Sequence, residues 1–220
     1  MRARLSVTIQ ALLAVGLVAV SIAVGQPDES GKKFRADNLV ELIKLDSTIK
    51  LDIRYATQNN FMKRMMYAEA RAFLQRPAAE AVVRVSKKLH GKGLGLLVFD
   101  GYRPWAVTKQ FWDETPPEKR NFVADPQKGS KHNRGCAVDL SLYDLKSGKE
   151  IRMPSPYDDF TERASPLYKG GTSTQRRMRD LLRKAMEEEG FTVDPGEWWH
   201  FDYKDWREYK VLNVPFERLR

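Results

Sequence analysis

The sequence predicts an α+β domain in which helices pack on a mostly antiparallel sheet. Strand and helix patterns follow in the order strands, helix, strand, helix, strands, helix, strands, which is not the regular alternation of a doubly wound parallel sheet. The chain has 220 residues, enough for one ordinary core and short for two domains. We therefore expect a single α+β domain.

The first half of the chain contains three predicted strands. Residues 38–46 and 49–55 alternate between apolar and polar side chains, which is typical of half-buried strands, and Ser47-Thr48 can turn between them. Residues 94–99 form a continuous apolar run, which predicts a buried central strand.

The second half supplies the remaining strands. Residues 136–143 alternate, and a turn at 146–149 predicts a hairpin to residues 150–153. Residues 191–193 and 198–203 are predicted to be two closing strands.

Three segments predict helices. Pro77 fits a first-turn position, and residues 78–89 have apolar residues at helical spacing. Pro104 can open a helix to about Trp112, and residues 174–189 form an amphipathic helix that ends before Gly190. The long segments between helices and strands, 115–130 and 154–171, lack periodicity, and long ordered loops in compact domains are usually functional.

The N-terminus predicts export from the cytoplasm. Residues 1–25 have a basic start, an apolar stretch and small residues at Ala23 and Gly25, the pattern of a cleaved signal peptide. An uncleaved membrane anchor is the alternative, since about 20 apolar residues just span a bilayer. Residues 26–37 are polar and predict a linker, and residues 38–220 the working domain. We expect a bacterial periplasmic or secreted protein.

Composition excludes some classes of protein. Hydrophobic residues make up 42% and charged residues 30%, as in a globular protein. The net charge is +9, but the basic residues are interspersed with acids and no nucleic-acid motif is present, so we expect no nucleic-acid partner. The single cysteine, Cys136, cannot form an intrachain disulfide; it is a small core residue or, alternatively, a nucleophile.

Two of the three histidines occur in patterns that suit a metal site, whereas His90 lies at a predicted helix end. His132 precedes a strand that contains Asp139, and Gly135 permits the bend that folds one over the other. Together with His200 they make a plausible set of three ligands, leaving a fourth position for water. The alternative is an Asp–His hydrogen bond without metal.

Glu197 suits the general base of such a site. On a regular strand, Glu197 and His200 would point to opposite faces, so we expect a bend or bulge at Trp198-Trp199. The alternative is a surface glutamate.

Several separated motifs together resemble the zinc D-Ala-D-Ala peptidases related to hedgehog-type domains, and within them the D-alanyl-D-alanine dipeptidases of the VanX type in peptidase family M15. The resemblance covers residues 51–203. Its motifs are Ser130-x-His132-x-x-Gly135-x-Ala137-x-Asp139, Glu197-Trp198-Trp199-His200, Asp52-Ile53-Arg54-Tyr55, Asp100-Gly101-Tyr102-Arg103-Pro104 and Met153-Pro154-Ser155-Pro156-Tyr157-Asp158. Lys131 departs from the family pattern, where small residues are common, and Cys136 lies inside the motif.

The resemblance implies a hedgehog/DD-peptidase-like fold and one zinc ion per chain, held by His132, Asp139 and His200. It implies that Glu197 is the catalytic base and later the proton donor, and that Arg103 stabilises the oxyanion. The residues implied to hold the dipeptide are Tyr55, Ser130 and Asp158.

The implied reaction is hydrolysis of D-Ala-D-Ala to two D-alanines in cell-wall turnover. The membrane would be contacted only through an uncleaved leader, and the oligomeric state is left open. Two other functions stay open: a D,D-carboxypeptidase acting on peptidoglycan stem peptides, and a non-catalytic wall-binding module. Single residues also have structural alternatives, namely a turn-stabilising Arg103, a core or strand-edge Tyr55 and a Ser130 with a capping or turn role.

Overall fold

The computed structural model describes residues 26–219 and has the predicted α+β architecture. Its strands are β1 (Leu39–Glu41), β2 (Lys50–Leu51), β3 (Phe73–Gln75), β4 (Leu94–Asp100), β5 (Ala137–Asp144), β6 (Phe191–Val193) and β7 (His200–Tyr203). A small antiparallel sheet pairs β1 with β3, and a five-stranded main sheet has the order β2-β4-β5-β7-β6, in which only β2 and β4 are parallel.

Residues 26–219 contain four α-helices: α1 (Leu42–Leu45), α2 (Arg76–His90), α3 (Trp105–Glu114) and α4 (Ser173–Glu187). Helix α2 has its proline in the first turn, and a capping box between Thr172 and Gln175 starts α4. These two helices contact each other and cover one face of the main sheet, α2 over β4 and α4 over β5 and β6. The three long helices and the central strands β4 and β5 confirm the predictions.

Alternation along β5 separates the core from the opposite face of the sheet. Val138, Leu140 and Leu142 pack into the core that includes α2 and α4. Asp139 and Ser141 alternate with them and therefore point to the face that these helices leave free. This second face holds the candidate site described below.

Two predicted N-terminal strands are much shorter than the alternation suggested. Residues 38–46 form β1 and then turn into the one-turn helix α1, because the chain leaves β3 after Glu41. In residues 49–55, only Lys50–Leu51 pairs, with β4. Tyr55 lies in a 3₁₀ turn, Arg54–Ala56, so its prediction as a strand residue was wrong.

The predicted C-terminal elements also need correction. Residues 150–153 form no strand, and only a single bridge between Tyr143 and Glu150 represents the predicted hairpin. The last strand begins at His200, because residues 198 and 199 form a turn. Strand β3 was missed, since its three residues are too short to show a period.

Residues 26–37, predicted as a linker, contain neither helix nor strand but contact the domain. The Glu29 carboxylate accepts hydrogen bonds from Arg134 Nη2 at 2.7 Å and from the backbone N–H of Val211 at 2.8 Å. The predicted signal peptide, residues 1–25, lies outside the described residues. Within residues 26–219, no helix combines the length and apolar character needed to cross a membrane.

Replacing Ser141 by alanine should stabilise the protein. Its hydroxyl is fully buried in β5 and has no hydrogen-bond partner among residues 26–219. An unsatisfied buried polar group costs free energy, so Ser141→Ala should raise the free energy of unfolding by about 1 kcal/mol. Urea unfolding at an unchanged m value measures this change.

The control for this prediction is Ser147→Ala, in the turn after β5. The Ser147 hydroxyl donates to Asp144 Oδ1 at 2.7 Å, so its loss should not stabilise the fold. A lower unfolding free energy for Ser141→Ala would contradict the prediction.

Candidate active site

Two strands bring Asp139 and His200 together. They are directly opposed residues of the antiparallel pair β5–β7, so their side chains leave the sheet on the same face. Phe201, which alternates with His200, packs into the core on the other face. The predicted proximity of Asp139 and His200 therefore follows from strand register.

His132 reaches this face from a 3₁₀ turn, His132–Arg134, that precedes β5. The turn ends at Gly135, whose φ of 66° is in the left-handed region, and a Cβ there would come 2.4 Å from Leu39 Cδ2. The left-handed backbone favours glycine, and a Cβ would also press on the Leu39 side chain and lie 3.3 Å from the Gln75 backbone nitrogen. The turn folds His132 over Asp139, as predicted, and leaves His132 Nε2 3.4 Å from Asp139 Oδ1.

The three side chains form a compact triangle. His200 Nδ1 lies 3.1 Å from His132 Nε2 and 3.0 Å from Asp139 Oδ1. Ligands at about 2.0–2.1 Å in a tetrahedral zinc site lie about 3.3 Å from one another. The triangle therefore has the dimensions of three metal ligands.

The outer atoms of the same three side chains are held by other groups. His132 Nδ1 lies 2.7 Å from the Gly101 carbonyl, and His200 Nε2 lies 2.9 Å from Asp202 Oδ1. The Tyr157 hydroxyl donates to Asp139 Oδ2 at 3.0 Å.

Each imidazole has an acceptor on its outer side, so each can keep its proton there and turn a lone pair into the triangle. Three acceptors then converge, and a cation satisfies them. All three are buried, so water cannot readily screen their repulsion. The donor set thus fits a metal ion better than the predicted alternative of a simple Asp–His hydrogen bond.

Glu197 stands beside the triangle, and its Oε2 is 3.9 Å from His200 Nδ1. The backbone turns between them: the N–H of His200 donates to the Glu197 carbonyl at 3.3 Å, and that of Trp198 donates to the Ala164 carbonyl at 2.8 Å. The break in alternation predicted at the paired tryptophans is confirmed. It brings Glu197 and His200 to the same cavity.

Burial raises the pKa of Glu197 to about 7, and the charge of Asp139 acts in the same direction, while His200 opposes it. A carboxylate with a pKa near neutrality is suited to accept and return a proton. Glu197 is therefore better placed as a proton carrier than as a metal ligand.

Arg103 is both a structural and a cavity residue. Its Nε and Nη2 donate to Asp100 Oδ2 at 3.0 and 2.7 Å, which ties the turn after β4. Its guanidinium lies 5.2 Å from the Tyr55 ring centroid and 4.8 Å from that of Phe111. Arg103 therefore has the turn-stabilising role given above as an alternative, and it also lies on the cavity wall.

The residues predicted to hold a dipeptide are also in the cavity. The Tyr55 hydroxyl donates to Asp158 Oδ2 at 3.1 Å. Burial, followed by the charges of Asp139 and Glu197, raises the pKa of Asp158 well above its usual range. The Ser130 hydroxyl accepts a hydrogen bond from the backbone N–H of His132 at 3.2 Å, which is the predicted turn role.

All eight predicted site residues line one cavity of about 320 Å³. Its walls include aromatic side chains from three loops and α3. The eight residues are Tyr55, Arg103, Ser130, His132, Asp139, Asp158, Glu197 and His200; the aromatic ones are Phe61, Phe111, Phe122 and Phe160. Cys136 is outside this wall, buried in the core, and burial raises the pKa of its thiol, so the nucleophile alternative fails.

Sequence reasoning missed three contributors: Asp202, Tyr157 and the Gly101 carbonyl. A signal existed for Asp202, since it lies two residues after His200 on a strand and therefore on the same face. Tyr157 belongs to a recognised motif, but its contact with Asp139 depends on the loop path. The Gly101 carbonyl depends on the turn that follows β4.

Three convergent ligands, a carboxylate of raised pKa and a buried arginine in one cavity define a metal-dependent hydrolase. Comparison with known proteins gives the same class. The chain belongs to the peptidase M15 family of D-Ala-D-Ala dipeptidases, whose model matches residues 35–216.

Among its relatives, the D-alanyl-D-alanine dipeptidase of Escherichia coli (strain K12) is 30% identical over 81% of this chain and 91% of that protein. The enzyme of the same name from Enterococcus faecium is 32% identical over 71% of this chain and 87% of that protein. A solved vancomycin resistance D,D-dipeptidase, in complex with a D-Ala-D-Ala phosphinate analog, is 23% identical, with a TM-score of 0.41 over 62% of this chain and 53% of that chain.

Proposed function

We propose that this protein is a zinc dipeptidase that hydrolyses D-Ala-D-Ala to two D-alanines in cell-wall turnover. Family membership and the names of the relatives support the reaction. The observation with the most weight is that one cavity joins the three metal ligands, Glu197 and the buried carboxylate of Asp158. That set can cleave an amide and recognise a free ammonium group.

The metal would be held by His132 Nε2, Asp139 Oδ1 and His200 Nδ1, the three atoms that converge. Histidine and carboxylate ligands in a set of three are typical of catalytic zinc. When bound, zinc supplies Lewis-acid chemistry: it polarises a carbonyl and makes a water molecule more acidic.

The chain's own groups move the proton and hold the charge. Glu197 accepts the proton of the attacking water and returns it to the leaving amine. Arg103 stays protonated and donates to the oxyanion that develops on the carbonyl oxygen. Asp158 pairs with the substrate ammonium, whose positive charge favours the ionised form of this carboxyl group. Tyr55 and Ser130 orient the dipeptide.

Cavity size favours a dipeptide over a stem peptide. Ligand pockets usually measure about 300–1,000 Å³, so about 320 Å³ is at the small end of that range. A buried acid that pairs with a free amine also disfavours a longer peptide, in which that amine would be part of an amide bond.

A substrate panel tests the reaction. The purified zinc-loaded protein should release D-alanine from D-Ala-D-Ala much faster than from N-acetyl-D-Ala-D-Ala or a stem pentapeptide. Preferred cleavage of the pentapeptide would show the carboxypeptidase instead. If none of these substrates were hydrolysed, the non-catalytic wall-binding module would be the remaining function.

Asp158→Asn should remove much of the preference for a free amine. Hydrogen bonds to charged groups contribute about 1.5–3 kcal/mol, so kcat/KM for D-Ala-D-Ala should fall about 10- to 100-fold. The neighbouring Asp159→Asn is the control, because Asp159 lies 3.9 Å from Arg163 and is not on the cavity wall. If the ratio of kcat/KM for D-Ala-D-Ala to kcat/KM for N-acetyl-D-Ala-D-Ala were unchanged in Asp158→Asn, Asp158 would have no role in amine recognition.

We further propose that the enzyme works in the periplasm or outside a bacterial cell. The support is the pattern of residues 1–25. Fractionation of cells expressing the full chain tests this, and an unprocessed protein in the cytoplasm would contradict it.

A further inference from the structure

An ion pair lies directly behind the candidate metal ligands. Asp202 is on β7, two residues after His200, and therefore shares its face. One carboxylate oxygen, Oδ1, is 2.9 Å from His200 Nε2, and the other, Oδ2, is 2.8 Å from Lys131 Nζ. Since both oxygens are engaged, the Asp202 carboxylate has one defined orientation.

The contact with Asp202 determines which nitrogen of His200 can bind a metal. An imidazole that ligates through Nδ1 must have its proton on Nε2, and an acceptor at Nε2 favours that tautomer. Asp202 is this acceptor, so it presents the Nδ1 lone pair of His200 to His132 and Asp139.

Lys131 adds a link between the two segments that supply the imidazoles. It immediately precedes His132, whereas its partner Asp202 follows His200 on β7. The lysine ammonium also lies 5.6 Å from the Trp206 ring centroid, and its side chain is 35% exposed. The ion pair therefore joins the turn before β5 to strand β7 at the level of the ligands.

We propose that Lys131 and Asp202 are positioning residues of the metal centre: Asp202 fixes the tautomer and ring orientation of His200, and Lys131 holds Asp202 and the His132 turn in place. The two residues raise metal affinity without being metal ligands themselves. This inference rests on the metal site of the proposed function and goes beyond its ligand set. It also gives a role to Lys131, the residue that departs from the family pattern.

Zinc affinity, measured apart from activity, tests the proposal. Purified protein is stripped with a chelator, and zinc is titrated in competition with a colorimetric chelator. Loss of an outer partner of a metal-bound histidine typically costs about 10- to 100-fold in affinity, and we expect this for Asp202→Ala. Asp202→Asn retains an acceptor of the same shape and should lose less.

Lys131→Met, which keeps the apolar stem, should weaken zinc binding by about 2- to 5-fold, the worth of a partly exposed ion pair. Asp205→Ala is the matched control. Asp205 follows Asp202 on the same C-terminal segment, but its carboxylate pairs with Arg35 at 3.3 Å and contacts none of the metal ligands. Its zinc affinity should equal that of the wild type.

Two outcomes would overturn the proposal: zinc affinity of Asp202→Ala and Lys131→Met equal to that of the wild type, or an equal loss in the Asp205→Ala control. Thermal unfolding of each metal-free variant checks that the domain still folds. If Asp202→Ala does not fold, the zinc affinity of Lys131→Met decides the test. A wild type that binds no zinc would instead refute the proposed function.

Discussion

Replacing Glu197 by glutamine should abolish most hydrolysis while the zinc remains bound. The three atoms of the ligand triangle belong to other residues, and Glu197 Oε2 lies 3.9 Å from one of them, His200 Nδ1. Glutamine has the same shape but cannot accept the proton of the attacking water. General acid–base groups contribute about 10²- to 10⁴-fold, so we expect kcat to fall about 1,000-fold.

Steady-state kinetics and zinc content measured on one preparation check this result. Glu188→Gln, the same change at an exposed glutamate that pairs with Lys88, is the control and should retain full activity. A Glu197→Gln variant with wild-type kcat would remove Glu197 from the mechanism. A variant that had lost its zinc would instead place Glu197 among the ligands.

The pH profile gives a second readout of the same group. A general base works when ionised, so kcat/KM should fall as the pH drops through the pKa of Glu197. Burial sets that pKa at about 7 without a metal. A bound cation favours the carboxylate and lowers the pKa, so the acid limb should lie below pH 7. This limb should be absent from the residual activity of Glu197→Gln.

The sequence was most informative where residue type alone restricts the chemistry. Few residue types bind metal ions, and histidine and the carboxylates are among them. The spacing from His132 to Asp139 across Gly135 made their approach foreseeable. The demand for a turn at Trp198-Trp199 followed from the two-residue period of a strand, and the structure meets it. Apolar periodicity likewise identified α2 and α4, and a continuous apolar run identified the buried strand β4.

The features that the sequence did not predict depend on contacts between segments that are distant in the chain, and local sequence patterns do not specify such contacts. Alternation predicts which face a side chain occupies but not the partner it meets there, so the contacts of Asp202 with His200 and Lys131 were not foreseen. Tyr55 was placed on a strand because its segment alternates, yet only Lys50–Leu51 finds a partner on β4. Strand length is determined by the neighbouring strand.

Substitutions of Arg103 should distinguish its two roles, the stabilising ion pair with Asp100 and the donation to the oxyanion. Nε and Nη2 are bound to Asp100, and Nη1 has no hydrogen-bond partner among residues 26–219. Only a guanidinium can satisfy the buried carboxylate and still offer a donor to the cavity. Lysine has a single ammonium, and the pull of Asp100 should draw it away from the substrate.

Arg103→Lys should therefore fold and bind zinc, but its kcat should fall about 100-fold, the usual cost of losing an oxyanion donor. Arg103→Ala should lose activity and also about 3–5 kcal/mol of stability, because it leaves the buried charge of Asp100 uncompensated. The hydrogen bonds to Asp100 Oδ1 from the Tyr67 hydroxyl and the Gly101 N–H, both at 2.9 Å, place this loss toward the lower end.

Arg71→Lys is the matched control for Arg103→Lys. Arg71 also binds a buried carboxylate through Nε and Nη2, both at 2.9 Å from Glu41, and lies over an aromatic ring, but it is not on the cavity wall. Kinetics, zinc content and urea unfolding of the three variants together decide the case. Arg71→Lys should change stability alone. An Arg103→Lys enzyme with full kcat would restrict Arg103 to its ion pair with Asp100, and oxyanion stabilisation would then fall to the metal.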